Sequence, residues 1–242
     1  MHLPVIVTES GVNDVVYNDF YVGDDSDVLI VAGCGIHNAG NEKSEHDGIH
    51  SFHIGKNAKV KYIEKHYGEG DGKGERVLNP TTEIEIEEGG YLEMDTAQIK
   101  GVDSTDRKTF ATLKDKAILI VNEKLYTHQN QVAKTEFTIN LNGKDCGTHV
   151  TSRSVARDKS KQIFVSYMNG NQKCSGHTEC DAILMDEATV EAVPKITASN
   201  IDAKLIHEAE IGKIAGEQLD KLMSLGLTEK EAEEKIICVF LK

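Results

Sequence analysis

Residues 54–62 read Ile54-Gly55-Lys56-Asn57-Ala58-Lys59-Val60-Lys61-Tyr62. An apolar residue is followed by a small one four places later and by apolar residues at plus six and plus eight. Alternation of this kind marks a strand with one buried face, and the Gly-Lys-Asn run marks a tight turn. The same spacing returns at Ile86, Gly90, Leu92 and Met94, at Leu113, Ala117, Leu119 and Val121, and at Leu184, Ala188, Val190 and Ala192. The first three anchors lie 32 and 27 residues apart, and a weaker copy beginning near Ile139 follows 26 residues on. Strand–turn–strand units at such a period, with no helical stretch long enough for a crossover, predict a mainly β chain whose rungs stack as a β-solenoid. A β-sandwich also has many short strands, but it does not require a period near 26.

Composition agrees with a narrow core. The 242 residues include 21 Gly, 3 Pro, no Trp and only 5% aromatics, so small aliphatics must fill the interior. With 27 basic against 40 acidic residues the net charge is −13, and basic residues cluster no further than pairs such as Arg107-Lys108. That balance argues against a nucleic acid or an anionic membrane surface as partner. Apolar runs such as Val28-Leu29-Ile30-Val31-Ala32 are far short of the roughly 20 residues that span a bilayer. The first twenty residues carry Glu9, Asp14 and Asp19 and do not resemble a secretory signal, so a cytoplasmic location is expected. Five scattered cysteines, Cys34, Cys146, Cys174, Cys180 and Cys238, do not form a disulfide framework.

The C-terminal segment changes character. Leu219, Leu222 and Met223 share a helical face ahead of Gly226, a good left-handed stop. Thr228 and Glu231 then make a capping-box pair, followed by Ala232, Ile236, Ile237 and Phe240 at helical spacing. The expected division is a solenoid over 1–214 and a helical hairpin over 215–242. The hairpin can seal the open end of the array or dock a partner through Leu219, Leu222, Ile236 and Phe240.

Candidate chemistry is sparse. Gly68-Glu-Gly-Asp-Gly-Lys-Gly74 lacks the ending and the strand–helix setting of a phosphate-binding loop. His46, His50 and His53 offer three imidazoles in eight positions, but Gly48 interrupts a helical face and His53 falls outward, so they are expected as polar turn and surface residues. Cys174, His177 and Cys180 fall within seven residues before a strand, and by parity Cys180 shares the inner face of Ala182 and Leu184. His207 and Glu208 follow Cys180 by one repeat, which predicts that they stack near it, with His207 on the inner face and Glu208 on the other. A thiolate, an imidazole and a carboxylate together suit iron or zinc, and the absence of paired Cys-x-x-Cys motifs argues against a permanent structural zinc. Ordinary packing and capping is the competing reading of the same residues.

These residues also carry a family resemblance. Glu179-Cys180-Asp181-Ala182-Ile183-Leu184, Val193-Pro194, Ile206-His207-Glu208-Ala209-Glu210-Ile211-Gly212-Lys213-Ile214, Glu217-Gln218-Leu219 and Leu225-Gly226-Leu227-Thr228-Glu229-Lys230-Glu231-Ala232 together resemble the C-terminal part of SufB and SufD, scaffold subunits of the SUF iron–sulfur cluster assembly system. The resemblance implies a right-handed parallel β-helix, an iron–sulfur cluster bound transiently, expected as [4Fe-4S], and a helical region that docks the ABC-type ATPase SufC. It also implies that Cys180 and Glu208, with His207 beside them, are SufB-like cluster positions. Cys174 is not a general family position and is expected as an additional ligand in a minimal, homodimeric form of the system. The chain is shorter than typical SufB and lacks its long N-terminal helical region.

The expected function is therefore a scaffold without turnover chemistry of its own, pairing with itself or a SufB/SufD paralogue and serving recipient apo iron–sulfur proteins. A SufD-like partner without a cluster is one alternative, disfavoured by Cys180 and Glu208. A β-helix carbohydrate-active enzyme is another, disfavoured by the scarcity of aromatic platforms.

Overall fold

The turn at 54–62 is the corner of a rung. In the computed structural model, which describes residues 1–242 apart from the Lys100 side chain, Asn57 takes φ +54° between two strands. The equivalent corners carry Gly89, Lys116 and Asp145, and the opposite corner carries Gln129, Asp158 and Asp186, all at positive φ. Asn, Asp and Gly tolerate that conformation at least cost. Corners of successive rungs are stitched by backbone hydrogen bonds: the amide of Asn57 donates to the Glu88 carbonyl at 3.1 Å and that of Gly89 to the Asp115 carbonyl at 2.9 Å.

Sixteen strands form two facing sheets, and every pairing is parallel. Sheet one runs, in spatial order, β1 (His2–Val7), β3 (Asp27–His37), β5 (Lys59–Glu69), β8 (Tyr91–Lys100), β10 (Ile118–Thr127), β12 (Cys146–Ala156), β14 (Cys174–Leu184) and β16 (Lys204–Gly212). Sheet two runs from β2 (Asn13–Val22) through β4 (Ser44–Ile54), β6 (Arg76–Leu78) with β7 (Thr81–Ile86), β9 (Ser104–Leu113), β11 (Val132–Leu141) and β13 (Lys161–Gly170) to β15 (Thr189–Ala198). The chain alternates between the sheets, with β6 and β7 sharing one rung of sheet two, so each strand pairs with its counterpart one turn further on. This is a β-solenoid and not a sandwich of antiparallel hairpins.

Registry stacks like on like. Ile54, Ile86, Leu113 and Leu141 form one buried column, and Tyr62, Met94, Val121 and Val150 another. The fourth copy thus begins at Leu141 and not at Ile139, because Asn142-Gly143 supplies the corner. The Leu184 copy belongs to the opposite corner, between β14 and β15, where the same turn chemistry reproduces the spacing. Both outermost strands at the C-terminal end, β15 and β16, have one unpaired edge.

Helices α1 (Gly216–Met223) and α2 (Glu229–Phe240) follow. The capping box forms: the Thr228 amide donates to Glu231 Oε2 at 2.8 Å, and the Glu231 amide donates to Thr228 Oγ1 at 3.3 Å. Ile237 is buried with Val155 and Ile183, flanked by Tyr126, Ile214, Ile236 and Phe240. The hairpin therefore lies on the outer flank of sheet one, across β10, β12 and β14, and does not close the end of the array. Among the described residues no helix is long and apolar enough to cross a membrane.

Candidate functional site: a polar column inside the solenoid

Strand parity and registry place the site. On the inner face of sheet one, Glu64, Thr96, Glu123, Ser152, Cys180 and Ala209 occupy one position on successive strands. Cys34, His66 and Gln98 begin the adjacent column. At about 4.8 Å per rung, Glu64 and Cys180 are about 19 Å apart.

Cys180 is 2% exposed. Burial pushes its thiol up to about 12, with Glu123 and Asp181 adding to the rise. Glu123 is itself held by neutral donors, accepting from Ser152 Oγ at 2.7 Å and Thr135 Oγ1 at 3.0 Å. The void lined by these groups measures about 10 Å³. That is about the space of one water, so nothing as large as a metal cluster sits beside Cys180 in this arrangement.

The other sequence-derived candidates separate. Cys180 is in register with Ala209, two residues beyond the spacing expected from the repeat. A shift of two preserves parity, so His207 still faces inward, where its Nδ1 lies 2.7 Å from Thr178 Oγ1. Glu208 projects from the outer face, its side chain 66% exposed and 3.4 Å from His177 Nε2. Cys180 and Glu208 thus lie on opposite faces of the same sheet. Cys174 faces inward but stands six residues, about 20 Å, along β14 from Cys180, and its register partner is Cys146. On the outer face Glu179 pairs in register with Glu208 and Asp181 with Glu210. Partial burial and the hydrogen bond with Glu179 raise the Asp181 carboxyl to about 6.

Sequence reasoning missed the far end of the column. Arg107, noted in the sequence only as half of a basic pair, is 5% exposed. It donates to Glu64 Oε2 at 2.9 Å and to His66 Nδ1 at 2.8 Å, and its Nε lies 3.7 Å from Glu123 Oε1. His46 and His50 are likewise buried and not surface residues. As alternate positions of β4 they share its inner face, and only His53 projects outward, where it stacks on Tyr21. His46 Nδ1 contacts Asp14 Oδ2 at 2.7 Å, and His50 Nδ1 lies 2.9 Å from the Tyr62 hydroxyl, which donates to Glu64 at 2.8 Å. Burial opposes ionisation of Glu64, yet His66, Arg107 and His50 hold its carboxyl well below the usual range. The signal was available: counting by twos from inward Tyr62 reaches Glu64 and His66, and from inward Val121 reaches Glu123.

Three of the four docking candidates, Leu222, Ile236 and Phe240, line a groove of about 740 Å³ between β14, β16 and the helices, whereas Leu219 is half-buried and does not line it.

Comparison with known proteins agrees with this architecture. The family model for the SufBD core domain of the SUF system for iron–sulfur cluster assembly matches residues 10–240. An iron–sulfur cluster assembly SufBD family protein of Methanocaldococcus jannaschii is 31% identical over 98% of this chain and 74% of its own length. Counterparts in Archaeoglobus fulgidus and Pyrococcus horikoshii are 28% and 29% identical over 94% and 79% of this chain, but over only 60% and 58% of their own lengths. With its parallel solenoid, its C-terminal helices and a matching family core over nearly its whole length, the chain belongs to the SufBD family of iron–sulfur cluster assembly proteins.

Proposed function

We propose that the protein is the scaffold on which an iron–sulfur cluster is built and handed on, with Cys180 as the principal ligand and His207 and Glu208 completing the site. The observation that supports this reading is the position of Cys180, one rung inside an open end whose last strand carries both other residues. The cluster is cargo, and the chain itself performs no turnover chemistry.

In this reading the closed rung protects an inert, protonated thiol. Loading requires β16 to move. Opening the edge hydrates Cys180, lowers its thiol toward the ordinary range, and lets Glu208 swing past the strand edge toward the same metal. A second copy, or a paralogue, meets the edges of β15 and β16, which expose Val193, Ile196, Ile206 and Ile211. An ABC-type ATPase of the SufC kind takes the groove beside α2 and drives the opening, and apo iron–sulfur proteins receive a transiently held [4Fe-4S] cluster.

Anaerobic reconstitution with ferrous iron and sulfide tests the assignment. Cys180→Ala should lose most of the visible cluster absorption, and Cys174→Ala should keep it. Equal cluster content in Cys180→Ala and the parent would overturn the ligand assignment.

A further inference from the structure

The other end of the polar column has a donor set of its own. Cys34 and His66 are register partners on β3 and β5, and Glu64 precedes His66 by two residues, so all three side chains enter the same interior. One ligand atom from each lies within 4.8 Å of the others, and the residues are 4%, 2% and 4% exposed in the order Cys34, Glu64, His66. Such separations are those of ligands sharing one ion, and the residues are already held in place by rigid strands. His50, whose Nδ1 is 3.7 Å from Glu64 Oε1, closes a further side.

We propose that Cys34, Glu64 and His66 form a second metal site, inside the solenoid and separate from Cys180, for one borderline divalent cation of the zinc or ferrous class. The mixed sulfur, nitrogen and oxygen set selects that class over magnesium or calcium, which take oxygen ligands.

A thiol ligand gives up its proton when it takes a divalent cation. Arg107 can only donate, so its contact fixes the lone pair of His66 on Nδ1 and the proton on Nε2, which faces Glu64 at 3.4 Å. On metal binding at Nε2 that proton moves to Nδ1, and Arg107 turns from His66 toward Glu123. One proton, that of Cys34, leaves per ion bound.

Cobalt(II) added without oxygen to the full chain is the probe, followed by competition with zinc. The parent should bind one ion per chain, show the near-ultraviolet sulfur-to-cobalt charge-transfer band, and release one proton. Cys180→Ser and Cys238→Ser should leave all three unchanged. Cys34→Ser should abolish the band and the proton release and weaken binding by about 100-fold or more, at least as much as losing an outer-shell partner costs. X-ray absorption of the zinc-loaded parent should count one sulfur with nitrogen and oxygen ligands, which decides the matter even where Cys34→Ser fails to fold. No band in the parent, a band that survives Cys34→Ser or disappears with Cys180→Ser, or a sulfur count other than one would overturn the proposal. Failure of cluster assembly on Cys180 would leave these results untouched.

Discussion

Arg107→Met is the substitution to which the interior should be most sensitive. Arg107 is the cation between two buried carboxylates, 2.9 Å from Glu64 and 3.7 Å from Glu123, in a region closed to solvent. Methionine keeps most of the volume and removes only the charge and the donors. Stripping one partner from a buried pair costs about 3–5 kcal/mol, because the charge left behind stays desolvated. For a chain of this length each kcal/mol moves the melting temperature by about 2–4 °C, so a fall of about 6–20 °C is expected. Thermal and urea unfolding followed by far-ultraviolet circular dichroism suit a chain without Trp. The double variant Glu64→Gln/Arg107→Met should regain much of the loss, since the charge and its counter-charge leave together, giving a coupling far from additive. A loss below about 1 kcal/mol in the single variant, or a double variant as damaged as the two singles summed, would refute the reasoning.

Other expectations concern the site and the stacking. With its thiol at about 12, Cys180 is ionised to roughly 3 × 10⁻⁵ at pH 7.5, against about one-tenth for an ordinary free thiol, so iodoacetamide should modify it about 3,000-fold more slowly than a reference peptide. Mass spectrometry should show that protection lost when a SufC-like ATPase with nucleotide opens the rung, and unchanged labelling would count against the opening step. Asp181 titrates higher when folded than when unfolded, so its ionisation opposes folding as pH rises from about 4 to about 6. Asp181→Asn should flatten that decline in urea-unfolding free energy measured across the window, and an unchanged slope would contradict the assignment. A Cβ on Gly143 would meet the backbone at Lys114 and Asp115, whereas one on Gly212 would meet nothing within 4 Å. Gly143→Ala should therefore cost about 1–3 kcal/mol and Gly212→Ala close to nothing in the same unfolding assay.

The solenoid was legible because its signal is repeated. Four copies of one corner, each with an apolar alternation on both sides, outvote any local irregularity; the start of the fourth was misplaced by two residues, and the Leu184 copy proved to be the opposite corner. The inner polar column was hidden by the same regularity. Parity carries Glu64, His66, Arg107 and Glu123 inward as surely as it carries Val60 or Leu119, yet a charged residue in an otherwise apolar repeat is easily read as solvent-facing. The partners that stabilise it lie 41 and 43 residues away and appear only once the rungs are stacked. Likewise His207 kept its inward face despite a two-residue error in register, while the reach from Cys180 to Glu208 depends on three-dimensional placement that spacing does not convey.

The seat of α2 on the flank of sheet one makes β14 a lever with two working sides. Ile183 holds the helix on the outer side, and Cys180, three residues back and about 10 Å along the same strand, faces the interior on the other. A load placed on the helix is thus delivered through one short stretch of backbone to the thiol behind it. Because the point of purchase lies beside the open end and not over it, the edges of β15 and β16 stay uncovered while the lever is pulled.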